Sequence, residues 1–336
     1  MCSVTNSFLI HQKQNAHYEK VYSISLFGCF FSFQQVSKTV GQPKSNLKGN
    51  ISLSGAFALY PLAVKWGDEF RKIHPDVRID ISAGGAGKGM TDALSNMVDI
   101  GMVSREINSE EFKKGAFAIA VAKDAVVLTM SAQNPVIKDI LAKGLKKEAA
   151  NNIFVTGKYK TWGQALGIKS AAPVHVYTRS DACGAGETWA KYFGKKQDDL
   201  LGVGVYGDPG VALAVKKDVV GLGYNNIAYA YDAKSRKPYP GIRVLPLDLN
   251  NNGKLDPEEN FYNTLDEIVN AVAAGKYPAP PARELYFVTK GKPSSKVVTE
   301  FIRYILTDGQ KFVIQSGYIN LSKDKLDKEF VKIKYN

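Results

Sequence analysis

Three short turns carry the residue types that hold an anion. They are Ser54-Gly55-Ala56-Phe57-Ala58, Ser82-Ala83-Gly84-Gly85-Ala86-Gly87-Lys88-Gly89 and Arg179-Ser180-Asp181-Ala182-Cys183-Gly184-Ala185-Gly186. Each follows an apolar run that reads as a strand and opens a stretch that reads as an amphipathic helix. A helix start leaves backbone N–H groups unpaired and carries partial positive charge. Small residues there let an anion come close to the backbone. Arg179 adds a planar guanidinium that can grip a tetrahedral oxyanion through two parallel N–H bonds, and Arg105 offers a second grip. Lys88, at a helix start, meets the dipole unfavourably unless an anion is near. One such turn is common; three predict helix N-termini converging on one small anion.

A second pattern is independent of the first. Residues 248–259, DLNNNGKLDPEE, satisfy D-x-[DN]-x-[DN]-G-x5-E in full. Asp248, Asn250 and Asn252 would supply side-chain oxygens, Lys254 its carbonyl, Asp256 a direct or water-mediated oxygen and Glu259 two oxygens, while Gly253 permits the sharp turn. That is a hard oxygen shell for one structural Ca²⁺. VLPL before Asp248 reads as extended, so a paired regulatory EF-hand is not expected.

The elements that must position these residues alternate. Leu59, Leu62, Ala63, Trp66, Phe70 and Ile73 recur at helical spacing, with Pro61 suited to a first turn. Val77, Ile79 and Ile81 alternate with polar residues as in a strand. A helix through Met90 and Leu94 and a strand at 99–103 complete a β–α–β–α–β order, which implies a parallel sheet flanked by helices. FAIAVAKDAVVLTMS, residues 116–130, reads as two strands split by Lys123-Asp124. Residues 135–166 read as mostly helical, 173–178 as a strand, 187–193 as a helix, 219–224 as a strand-to-loop segment, 286–288 as a late strand and 294–316 as helices.

Composition sets bounds. The 336 residues suit two domains or one large one, and 45% hydrophobic with 23% charged residues is a globular balance. The net charge of +12 favours anionic partners, but the basic residues are scattered with no Arg-rich stripe, which argues against nucleic acid. Cys2, Cys29 and Cys183 form no CxxC pair. The apolar run 21–33 is too short to span a bilayer but fits a signal-peptide core, and Leu26-Phe27-Gly28-Cys29 is similar to a lipobox whose Cys is lipidated after cleavage. Two near-motifs fail. A phosphate loop needs Gly at 82 and Ser or Thr at 89, where Ser82 and Gly89 stand; a dinucleotide fingerprint needs a small residue at Met90.

SGAFALYPLAVKW, SAGGAGKGMTDALSNMVDIGMVSREI, NNIFVTGKYKTW, TRSDACGAGETW and TDGQKFVIQSGYINL, in this order and spacing, give the chain a family likeness. It resembles the phosphate-binding proteins of ABC transporters, the PstS type of periplasmic solute-binding protein, from about Gly49 to about Leu321. The resemblance implies an α/β, two-lobed periplasmic-binding-protein-like fold of type II, with two crossing strands between lobes and an anion in the cleft. Lobe one would be 49–121 plus 287–323 and lobe two 122–286, after a leader and linker at 1–48 and before a tail at 324–336.

Carried over by position, the family's anion contacts fall on the backbone around Ser54, Ala56, Phe57 and Ala58, on Ser82 and the stretch Gly84, Gly85, Ala86, Gly87, and on Arg179. They fall also on Cys183, Gly184 and Ala185, where the family has Ser-Gly-Thr. The place of an acidic acceptor holds Ser104, then Arg105. The reading is a monomeric, exported binding protein that captures inorganic phosphate and delivers it to ABC permease subunits, tethered through Cys29 if the lipobox is used. The alternatives are a binder of sulfate or molybdate, or a calcium-binding surface adhesion protein. No base–nucleophile pair or metal-hydrolase motif supports an enzyme. Arg179→Ala is expected to abolish anion binding with the fold intact.

Overall fold

The computed structural model of the chain describes residues 47–334; the expected leader, with Cys29 and its lipobox, lies outside the described residues. Among the described residues, eleven strands order the fold: β1 (Gly49–Gly55), β2 (Val77–Ala83), β3 (Ile100–Val103), β4 (Ala116–Ser131), β5 (Leu145–Lys146), β6 (His175–Arg179), β7 (Val203–Val205), β8 (Gly221–Asn226), β9 (Ile242–Leu245), β10 (Leu247–Asp248) and β11 (Ala282–Lys290). The main sheet runs β2-β1-β3-β11-β4-β8-β6-β7, with β9 also paired to β4, and β10 pairs separately with β5.

Strands β2, β1 and β3 are parallel, as are β8, β6 and β7. Between these two parallel sets lie β11 and β4, antiparallel to each other and to their neighbours. Parallel strands need crossover helices; the inner strands β3 and β8 are buried along their length, while the edge strand β2 alternates and the edge strand β7 is mostly exposed. The helix Tyr60–Ile73 is one such crossover: it buries Leu62, Ala63, Trp66 and Phe70 on one stripe, and Pro61 sits in its first turn. Trp66 satisfies its indole N–H on Gly309 O at 2.8 Å.

Two apolar cores result. One gathers residues from Ile51 to Ala122 and from Leu285 to Ile333; the other gathers residues from Ala125 to Tyr277, with Ile319. Strand β4 passes from the first core into the second at Lys123-Asp124. The expected break there is absent. Residues 116–131 form one continuous strand, because its first half bonds to β11 and its second half to β8 and β9. Lys123 keeps its backbone paired to Ile319, with N–O distances of 2.8 and 3.0 Å. Asp124 stands opposite Arg283 of β11, so the charge that looked like a turn signal is a buried, partnered strand residue.

The segment expected as a tail is helical over Lys323–Ile333, and Ile333 is buried in the first core. Among the described residues, no helix is long and apolar enough to cross a membrane.

Candidate anion site

All three turns open helices: Tyr60–Ile73, Ala86–Leu94 and Gly184–Tyr192. The first two turns meet because β1 and β2 are parallel and in register, Ser54 opposite Ser82. Gly84 and Gly85 donate N–H bonds to Gly55 O at 2.8 and 3.0 Å. The second turn then reaches the third: Gly87 N–H donates to Ala182 O at 3.1 Å. A Cβ on Gly85, whose φ is +92°, would lie 2.7 Å from Ala182 O and 2.8 Å from Asp181 Oδ2. The first turn reaches the second core directly. The Phe57 ring lies under the Arg179 guanidinium at 5.2 Å, and Tyr229 Oη donates to Phe57 O at 3.1 Å. Ser104, at the end of β3, abuts the third helix: a Cβ on Gly184 would be 2.2 Å from its carbonyl oxygen and 2.3 Å from its Oγ. Glycine is required there for that approach.

The expected residues divide by what they already bind. Ala56 N–H is spent on Met102 O at 2.8 Å. The Ser54 hydroxyl donates to Asp92 Oδ2 at 2.6 Å, and Lys88 pairs with the same carboxylate, one turn along its helix, rather than facing the cleft alone. Ser82 is exposed and donates to Leu53 O at 3.3 Å, so its hydroxyl serves the sheet edge. Arg105 forks onto Glu111 at 2.7 and 2.9 Å and lies 3.7 Å from Glu187, so its charge is largely met. Cys183 caps its own helix, its Sγ accepting Gly186 N–H at 3.2 Å. Burial pushes the Cys183 thiol up to about 12 despite the nearby Arg179, so it stays protonated and keeps one weak S–H donor. What remains for an anion are the first-turn N–H groups around Phe57, Ala58, Gly184 and Ala185, the Ser104 hydroxyl and Arg179.

Arg179 sits in a buried network that its motif does not reveal. Its Nε and Nη2 bond both oxygens of Asp181 at 2.7 and 2.6 Å, and its Nη1 bonds Asp208. A guanidinium has five N–H groups; these bonds leave one on each Nη. Burial works against the charged form of Arg179, yet the carboxylates of Asp208 and Asp181 outweigh it and raise the pKa. Burial likewise works to raise Asp181, but Arg179 holds it below the usual range.

Asp208 is held by Asn226 N at 2.8 Å, Asn226 Nδ2 at 2.7 Å and Asn225 Nδ2 on its carbonyl at 2.9 Å. Asn226 accepts from Arg283, which faces Asp124 at 3.5 Å. Burial pushes Asp124 up to about 7, with Arg283 working the other way. Arg283 Nε and Nη1 and Asp124 Oδ1 find no hydrogen-bond partner among the described residues. Beside this network is a cavity of about 540 Å³, lined from one core by Arg105 and Asn108 and from the other by Thr188 and Lys191, with Arg283 between.

Sequence reasoning missed Asp181, Asp208, Asn225, Asn226, Asp124 and Arg283. Asp124 had a signal, a lone acid inside an apolar run. Asp181 lies two residues after Arg179. Asp208 and Arg283 had none, since only the folded sheet brings them to Arg179 and Asp124.

Two apolar cores on one sheet, joined by the paired strands β4 and β11, with glycine-rich helix-opening turns meeting between them, define the class of fold. A family model of the PBP superfamily domain matches residues 37–309, and the chain belongs to that superfamily. It is similar to the phosphate-binding protein PstS of Pseudomonas aeruginosa, 26% identical over 83% of this chain and 85% of the relative. It is also similar to PstS of Bacillus subtilis, 28% identical over 86% of each. Among solved structures, a phosphate-bound substrate-binding protein of the phosphate ABC transporter class from Clostridium perfringens superposes with a TM-score of 0.67. The identity is 23%, and the match covers 82% of this chain and all of that one. A phosphate transport receptor from Vibrio cholerae gives 0.58 at 18% identity, covering 81% of this chain and 100% of that one. The expected periplasmic-binding-protein-like fold is the fold observed.

Proposed function

We propose that this chain is an extracytoplasmic solute-binding protein that captures inorganic phosphate between its two halves and hands it to the permease of an ABC transporter. The carrying observation is that three helix-opening turns from two cores meet, at Gly84 and Gly85 on Gly55, Gly87 on Ala182 and Phe57 on Arg179, with Ser104 after β3 closing on Gly184. Membership of the superfamily and the names of the relatives supply the ligand class and the transport role. Cys183 and His175 are not paired with each other: the Cys183 sulfur caps its own helix and His175 bonds Asp218 at 2.7 Å.

In this reading the halves 49–121 plus 287–323 and 122–286 act as lobes, and β4 and β11 flex to open them. The anion exchanges its water for the N–H groups of the first and third turns and the two spare N–H groups of Arg179. Each charge-assisted bond contributes about 1.5–3 kcal/mol. A few of them suffice for roughly micromolar binding. The protein works as an exported monomer, tethered through Cys29 when that residue is lipidated. A hydroxyl both donates and accepts, so Ser104 admits fully ionised sulfate or molybdate as well as hydrogen phosphate.

Calorimetry of the dialysed protein against phosphate, sulfate and molybdate tests the reading. Heat with phosphate is expected, and the Ser104 hydroxyl leaves room for heat with sulfate or molybdate beside it. Heat with only sulfate or molybdate would replace phosphate by that anion, and silence with all three would sink the transport assignment.

A further inference from the structure

Within loop 248–259, one carboxylate oxygen has no hydrogen-bond partner. Asp248 is 1% exposed, and its Oδ2 accepts Gly253 N–H at 2.8 Å, which closes the turn and aims the carboxylate into the loop. Its Oδ1 is buried and finds no partner among the described residues. A buried, unsatisfied oxygen of this kind costs more than a lost hydrogen bond, and it calls for a donor or a cation.

The rest of the loop faces the same space. Glu259, 6% exposed, spans it: Oε1 accepts the N–H groups of Leu249 and Asn250 at 2.9 and 2.8 Å, and Oε2 that of Asp256 at 3.4 Å. Asn250 and Asn252 both turn their NH₂ groups onto Asp256 Oδ2, at 2.8 and 2.6 Å. Gly253 takes φ +82°, which the sharp turn requires. The loop is anchored at both ends. Strand β10 pairs with β5, and Leu255 N–H donates to Ala142 O at 2.9 Å. Phe261 and Tyr262, just beyond Glu259, stack on each other and pack against Tyr277, whose hydroxyl donates to Val126 O of β4 at 2.7 Å.

We propose that this loop binds one divalent cation of Ca²⁺ size, with Asp248 Oδ1 as the ligand already in place. Turning the amides of Asn250 and Asn252 replaces NH₂ by carbonyl oxygen. Asp256, the Lys254 carbonyl and both Glu259 oxygens complete a shell of the six to eight oxygens that Ca²⁺ takes. Among the described residues no three His, Cys, Asp or Glu side chains are gathered for a metal. As the loop stands, Asp248, Asp256 and Glu259 are therefore not drawn together; binding the ion would bring these three carboxylates to two amides and a carbonyl, an all-oxygen set that suits a hard ion rather than a thiolate or imidazole metal. The ion's role is to fix the loop and, through Phe261 and Tyr262, the Tyr277 contact with β4.

The test is titration of full-length, chelator-treated protein with CaCl₂, read by calorimetry and by melting temperature. One ion per chain is expected to bind, with a rise in melting temperature that MgCl₂ at equal concentration does not match. Asp248→Asn keeps an acceptor for Gly253 N–H and removes the bare charge. It is expected to weaken Ca²⁺ binding at least about tenfold without lowering the melting temperature of the metal-free protein. Asp256→Ala, at a less buried position, is a second variant that should fold and bind Ca²⁺ more weakly. No heat and no thermal shift with Ca²⁺ would overturn the proposal, as would unchanged affinity in Asp248→Asn. Phosphate binding is read in parallel and is expected to be the same in both variants, so this site fails or stands independently of the anion site.

Discussion

The proposed anion site and the proposed cation loop at 248–259 would take opposite charges, yet neither advertises it in the expected way. In the cleft, Arg179 and Arg283 are outnumbered by Asp124, Asp181 and Asp208, all of them buried or nearly so. An anion there meets no surplus of positive charge. What it meets is spare donor capacity: one N–H on each Nη of Arg179 and the first-turn amides. The loop carries Asp248, Asp256, Glu258 and Glu259 against Lys254, and keeps a bare oxygen at Asp248. The lesson is that net charge is a poor guide to a buried ligand site. Unused hydrogen-bond valence is a better one, because desolvated charges must be matched within the fold before any ligand arrives.

The comparison breaks most sharply at Arg179. Its removal leaves Asp181 and Asp208 without their cation, so Arg179→Ala is expected to destabilise the protein by about 3–5 kcal/mol as well as abolish binding. That revises the sequence-level expectation of an intact fold. Urea melts showing a loss below ~1 kcal/mol would mean the cleft charges are not coupled as described.

Next comes the contact between the second and third turns. Gly85→Ala puts a methyl against Ala182 O and strains a positive φ. If the turns must touch to hold the anion, phosphate affinity falls about a hundredfold, equal to about 2.7 kcal/mol, while each core survives. Affinity within a factor of two of the parent would separate the turns from the site.

A smaller effect concerns pH. Asp124 has a folded pKa of about 7, raised by burial, against ~3.9 when unfolded. The folded chain therefore holds a proton that the unfolded chain releases. The stability this confers is complete below about 4 and is lost as pH rises through about 7. Wild-type melting temperature should fall over that interval relative to Asp124→Asn, which cannot titrate; parallel pH curves would deny the shift. The smallest effect is expected at Arg105. Its guanidinium is committed to Glu111, so Arg105→Ala should change phosphate affinity by less than about threefold, whereas a tenfold loss would return Arg105 to the anion shell.

Much of this was legible beforehand. Period-two and period-3.6 apolar spacing placed the strands and helices around each turn, and small residues after each strand marked the helix starts. The strand at 116–131 was misread because a Lys-Asp pair usually ends a strand. Here the same pair lies where the chain crosses between cores and finds partners in Ile319 and Arg283.

By itself the sequence determined the local pieces: the turn chemistry, the twelve-residue oxygen pattern and the alternation that implies a parallel sheet. These depend on neighbours a few positions apart, and linear spacing records them. Only the tertiary structure decided which groups remain unspent. Arg105, Ser82 and Ala56 are consumed by partners, while Asp181, Asp208 and Arg283 join Arg179 from distant segments. Pairing across a sheet follows from how strands twist and stack in three dimensions, and no spacing along the chain encodes which buried charge will face which.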